Sequence, residues 1–146
     1  MNSCSVFQMA IDVTENDIDI MGHVNNVAYV GWMQDAAIAH SDNNGWNWRR
    51  YQDIGAAFIA KMHQIEYVSS AFDGDRILIE TWVSEMRKVS SMRSYRFVND
   101  KSKKLLATAS TKWAFVRLSD SKPIRIPDQV IASFSVAHPD FDDSTS

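Results

Sequence analysis

Asp17-Ile18-Asp19-Ile20-Met21-Gly22-His23-Val24-Asn25-Asn26-Val27-Ala28-Tyr29 is the stretch on which the reading of this chain turns. Asp17, Asp19, His23, Asn25 and Asn26 crowd five hydrogen-bonding side chains into ten residues. Immediately downstream lies the best helical pattern of the sequence. A carboxylate on a loop that feeds a helix N-terminus has an electrostatic use: free backbone N–H groups there can hold a developing negative charge while the carboxylate serves as base or nucleophile.

Outward from that loop, Val6 to Val13 reads as a short strand ending at Thr14-Glu15-Asn16-Asp17. From Asn25 to about Ser41, Val27, Val30, Ala37 and Ile38 recur at helical spacing, and Asp42-Asn43-Asn44-Gly45 closes the segment. Asn25 and Asn26 are both good N-cap types. Gly31 in mid-helix implies close packing against the backbone, since glycine there costs about 1 kcal/mol relative to alanine. Trp46-Asn47-Trp48-Arg49-Arg50-Tyr51 reads as a packed connection over the helix end rather than a nucleic-acid patch. Four strands follow: Ala57 to Ser69, Arg76 to Met86, Ser91 to Val98 and Leu105 to Arg117, with turns at Asp73-Gly74 and Asn99-Asp100-Lys101-Ser102. In the second of these, Ile77, Ile79, Thr81 and Val83 share one face and Leu78, Trp82 and Met86 the other. Ala107, Ala109 and Thr111 leave room for a helix across the last strand, and Pro127 begins a short terminal helix. Strands joined by short turns favour an antiparallel sheet with one covered face. The other face, with Trp82 and Met86, calls for a homo-oligomer.

With 146 residues, 45% hydrophobic and 23% charged, the chain is expected to be one domain over 1–138, with a flexible acidic tail at 139–146. A net charge of −3 gives no global drive toward nucleic acid. The single cysteine, Cys4, has no internal partner for a disulfide. No apolar run of transmembrane length and no signal-peptide core are read, so the expected setting is cytoplasmic. No Gly-x-Ser-x-Gly elbow and no phosphate-binding glycine loop occur, which removes the α/β-hydrolase and nucleotide-hydrolase readings.

The element order and the run Asp-x-x-Gly-His-Val-Asn-Asn-x-x-Tyr at 19–29 resemble the hotdog-fold thioesterases, nearest to the 4-hydroxybenzoyl-CoA thioesterase-like and acyl-CoA thioesterase families. Supporting segments are Gln64-Ile65-Glu66-Tyr67, Leu106-Ala107-Thr108-Ala109 and Lys122-Pro123-Ile124-Arg125-Ile126-Pro127. The resemblance implies an α+β hotdog fold, an antiparallel β-sheet wrapped around one long central helix. It also implies subunits paired to extend the sheet, as a homodimer or homotetramer, and active sites between them. Asp19 then matches the catalytic aspartate. Met21 stands where the acyl-ACP branch carries asparagine, which favours acyl-CoA as substrate and a role in lipid metabolism.

Thioester hydrolysis needs a base or nucleophile, an oxyanion site and exclusion of bulk water. The expected catalytic set is Asp19, His23 and Asn25, with the amides of Gly22, His23 and Val24 as oxyanion donors. An acyl slot is expected on the Tyr29 and Met33 side of the helix. Arg87, Lys88, Ser90, Ser91, Arg93 and Arg125 are expected near the CoA phosphates and pantetheine, against the plainer reading of a solvated sheet edge. Asp17 reads as a loop brace; Gln34 and Asp35 as helix surface; His63 and Glu66 as a satisfied core-edge histidine and an exposed acid. No His, Cys, Asp and Glu spacing suits a metal, and no cofactor is expected beyond the CoA of the substrate. The rival readings are an acyl-ACP thioesterase, a hotdog hydratase, whose loop motif is absent, and a non-catalytic acyl-CoA binding protein.

Overall fold

The computed structural model describes residues 5–141; Cys4 and the last five residues of the expected tail lie outside them. The strands are β1 (Phe7–Asp12), β2 (Ala56–Tyr67), β3 (Arg76–Met86), β4 (Ser90–Asn99) and β5 (Leu105–Arg117); the helices are α1 (Asn26–Asn43), α2 (Trp48–Ile54) and α3 (Asp128–Ser133). One five-stranded sheet has the order β1-β3-β4-β5-β2, every pairing antiparallel, so β1 and β2 are its edges.

α1, the longest of the three helices, lies on one face of this sheet. It buries Tyr29, Trp32, Met33, Ala36, Ala37 and His40, spaced three and four apart as one helical stripe requires. Val27 and Ile38, expected on the buried side, are 79% and 59% exposed. The aromatic rings of Tyr29 and Trp32 remove more apolar surface from water than valine does, and the helix turns to bury them. Tyr29 meets Trp32, Phe97 and Tyr67 edge-on at 5.0–5.3 Å. Under the stripe lie Ile77, Ile79, Tyr95, Phe97, Leu106 and Ala107, the small residues of β5 making room as expected. Gly31 is different from its expectation: no heavy atom lies within 4 Å of where its Cβ would stand.

A second core, of Trp46, Tyr51, Ala57, Val83, Phe115, Ile126, Val130 and Phe134, joins α2 and α3 to the other end of the sheet. α2 is a real helix where only a packed connection was read. Asn47 caps it, accepting from the Arg50 amide at 2.9 Å, and Gly55 ends it at φ +73°. A bulge between Val83 and Glu85 shifts the β3 register and turns Met86 onto the same side as Val83, against strict alternation. The Trp82 face is partly covered by the chain itself: the Phe141 ring packs on Trp82 at 5.5 Å, with the Arg96 guanidinium 4.3 Å over it.

Candidate active site

The motif loop is closed on itself. Ile18 and Val24 form an isolated bridge, and between them the Asp19 amide donates to the His23 carbonyl at 2.9 Å. Gly22 makes the turn at φ +84°, a left-handed conformation that favours glycine. Asp19 Oδ1 accepts from the Met21 amide at 2.9 Å and the His23 amide at 3.3 Å, which fixes the carboxylate on the loop. Oδ2 has no partner among the described residues, and Asp19 is exposed.

The neighbouring residues hold this loop at the head of α1. Asn25 is the N-cap: its side-chain oxygen accepts from the Ala28 amide at 2.8 Å, and its own amide donates to the Asp17 carbonyl. Asp17 Oδ2 accepts from the Thr14 amide at 2.9 Å, so Asp17 is the expected brace. His23 is exposed, with its ring edge-on to Phe72 at 5.3 Å.

The amides expected to hold an oxyanion are already engaged. Gly22 donates to the Asp19 carbonyl, His23 to Asp19 Oδ1, and Val24 to the Ala71 carbonyl at 2.9 Å. The first-turn amides of Asn26 and Val27 have no acceptor inside the helix, by the geometry of any helix start. Tyr29 and Met33 line no open slot; both sit in the core, 2% and 0% exposed. Exposed apolar side chains on the loop are Ile20, wholly so, and Met21; Val27 is exposed at the start of α1, and Phe72 is exposed against the His23 ring.

The residues expected near CoA sit elsewhere in the protomer. Arg87 and Lys88 are exposed at the β3–β4 turn, Arg87 paired with Glu85. Ser91 and Arg93 are buried on the inner face of β4 rather than on a solvated edge. β3 runs from the Asp19 end to that turn, and eleven residues at about 3.3 Å each put the two regions roughly 35 Å apart. Asp35, Gln34 and Arg125 are exposed away from the loop, and His63 is tied to Thr111 at 2.8 Å. The sequence reading missed Phe72, whose only signal is an aromatic beside the Asp73-Gly74 turn. Among the described residues no group of three or more His, Cys, Asp and Glu gathers, and no helix is long and apolar enough to cross a membrane.

A family model described as the thioesterase-like superfamily matches residues 13–134. A relative from Haemophilus influenzae named acyl-CoA thioesterase YbgC is 26% identical over 129 residues, covering 88% of this chain and 93% of the relative. Among solved structures, a 1,4-dihydroxy-2-naphthoyl-CoA thioesterase from Synechocystis superposes with a TM-score of 0.80 at 19% identity, over 88% of this chain and 94% of the other. A DHNA-CoA thioesterase from Staphylococcus aureus superposes with a TM-score of 0.79 at 22% identity, over 87% and 89%. At such identities the superpositions establish a shared fold, that of the hotdog thioesterases.

Proposed function

The chain belongs to the thioesterase-like superfamily and is a thioester hydrolase, and from that premise we propose that it cleaves acyl-CoA to a free acid and CoA with Asp19 as its reacting carboxylate. The observation that carries this reading is the anchoring of Asp19: one oxygen is pinned by two loop amides at the head of α1, the other is left unclaimed, and its loop neighbours Ile20 and Met21 are exposed apolar side chains. Oδ2 either takes the proton of the attacking water or attacks the thioester carbon itself, giving a mixed anhydride that water then opens. The oxyanion is held by the free first-turn amides of Asn26 and Val27 in place of the engaged three. His23 orients the thioester carbonyl or the water, and Asn25 keeps the loop on the helix. CoA is favoured over acyl carrier protein because Met21 replaces the asparagine of the acyl-ACP branch.

The exposure of Asp19 in one chain has its remedy in a second copy. β2 is a long edge strand with Ile59 and Met62 exposed, a surface suited to pairing with another β2 and extending the sheet. The Tyr67 end of β2 adjoins α1's first turn through Tyr29, and its Ala57–Phe58 end adjoins the far core. Antiparallel pairing about a two-fold axis sets the Asp19 end of each chain beside the far end of its partner. The β3–β4 turn of the partner, with Arg87 and Lys88, is then the cation source for CoA.

Asp19→Asn tests the assignment. The amide oxygen still accepts from Met21 and His23, so the loop stays in place and Tm moves by no more than about 2 °C. Thiol release from acyl-CoA falls by roughly 10²–10⁴-fold while acyl-CoA affinity persists. Unchanged turnover removes Asp19 from the chemistry, and a wild-type chain that binds acyl-CoA without cleaving it favours the binding-protein reading.

A further inference from the structure

A cavity of ≈ 280 Å³ opens at the far end of α1, walled by Trp46, Phe58, Met86, Trp113 and Phe134. It is remote from the same chain's loop: Asn26 to Ser41 spans about 22 Å of helix. Its apolar wall carries one cation. Arg93 lines the cavity and is 5% exposed, placed inward by the alternation of β4 between Ser91 and Tyr95. Nη1 donates to His40 Nδ1 at 2.9 Å and to Thr81 Oγ1 at 3.1 Å. Both acceptors are neutral groups, because a guanidinium only donates and His40 Nδ1 must therefore carry a lone pair. Among the described residues no carboxylate pairs with Arg93; Asp42, which also lines the cavity, is exposed and makes no bond to it. Nε and Nη2, the side-on edge that grips a carboxylate with two parallel hydrogen bonds, make none. The Trp113 indole N–H is buried in the same wall, with the Tyr95 hydroxyl within its reach but no well-formed hydrogen bond to it.

A buried cation that cannot lose its proton is as a rule matched by an anion, and a buried donor by an acceptor. Among the described residues no anion is supplied to Arg93. We propose that this cavity binds a small carboxylic acid with an apolar or aromatic body, its carboxylate on the free edge of Arg93 and its body against Trp46, Phe58, Met86 and Phe134. The volume is at the lower end for ligand pockets and suits a single ring or a short chain. The same chemistry has two sources, a free acid and the distal carboxylate of an acyl chain carried on CoA. The binding claim does not rest on the hydrolase reading.

Trp46, Trp48 and Trp113 line the cavity, so occupancy reads on intrinsic fluorescence. Octanoate and 3-phenylpropanoate are expected to shift the emission of the full chain saturably and to raise its Tm, with octanol and 3-phenylpropanol at least tenfold weaker. Arg93→Met weakens the two acids at least tenfold. Ala37→Leu, which fills the cavity and leaves Arg93 in place, abolishes binding, and Asp19→Asn leaves it unchanged. Alcohols that bind as well as the acids, an undiminished Arg93→Met, or no saturable shift in the wild type each overturn the proposal. Turnover of adipoyl-CoA and hexanoyl-CoA separates the sources. A loss of kcat/KM at least tenfold in Arg93→Met for adipoyl-CoA alone assigns the site to the acyl chain, and equal behaviour of both esters assigns it to a free acid. If the wild type cleaves neither ester, the hydrolase reading fails while the binding result stands.

Discussion

Asp19 and Arg93 carry opposite charges and receive opposite treatment from the fold. The aspartate stays at the surface, held by amides two and four residues on, a local device that any reader of Asp-x-x-Gly-His can anticipate. The arginine is buried by position alone. Ser91, Arg93, Tyr95 and Phe97 alternate with Met92, Ser94 and Arg96, so the strand period puts Arg93 on the same face as two core aromatics. That pattern is present in the sequence, and the strand period outweighs the preference of an arginine for solvent. That the amides of Gly22, His23 and Val24 already have acceptors was not legible, since which amides a tight loop consumes depends on its turn geometry. Tyr29 has a different lesson. Burial first, then the negative charge available at Tyr67 and Asp75, pushes its phenol up to about 12, against roughly 10 in an unfolded chain. A raised pKa means the fold favours the protonated phenol. The resulting stability is intact below pH 10 and is lost as pH rises through 12, with an upper limit of roughly 2–3 kcal/mol. Urea melts at pH 8 and pH 11.5 are expected to show a larger alkaline loss for the wild type than for Tyr29→Phe, by about 1–2 kcal/mol.

At the scale of elements, all five strands and α1 were legible because their periods and turn pairs were strong. The phase of α1 was not, since valines and aromatics competed for the inner face and burial area decided between them. α2 was missed although both its boundaries are written in the sequence, Asn47 before it and Gly55 after it. The cap of α1 matters more, because it joins the helix start and the Asp19 loop in one residue. Asn25→Ala removes the acceptor for the Ala28 amide and is expected to lower stability by about 1 kcal/mol, read from urea melts. Since the Asn25 amide still binds the Asp17 carbonyl, the loop stays attached and thiol release is expected to fall less than in Asp19→Asn.

For the whole molecule, the argument from an uncovered sheet face to a homo-oligomer weakens, because Phe141, itself under the Arg96 guanidinium, packs on Trp82 from within the chain. The case passes instead to the edge strand and to the distance between the two halves of the expected site. Asp19 and the Arg87–Lys88 turn stand at opposite ends of β3, too far apart for one thioester to meet both in a single protomer. No sequence pattern reports that separation, since it arises from where the chain reverses rather than from residue type. Two chains paired along β2 bring each Asp19 end to the other's turn, and they cover the exposed Ile59 and Met62. Light scattering on the eluting peak is therefore expected to give at least twice the 16.6 kDa chain. Replacing both Ile59 and Met62 by lysine sets like charges along the shared edge and is expected to shift the peak toward one chain. Far from the loop, this change leaves Asp19 and its amides untouched, yet thiol release should fall with the assembly. A monomer that keeps full turnover would show that one chain completes the site alone, and the composite arrangement would have to be abandoned.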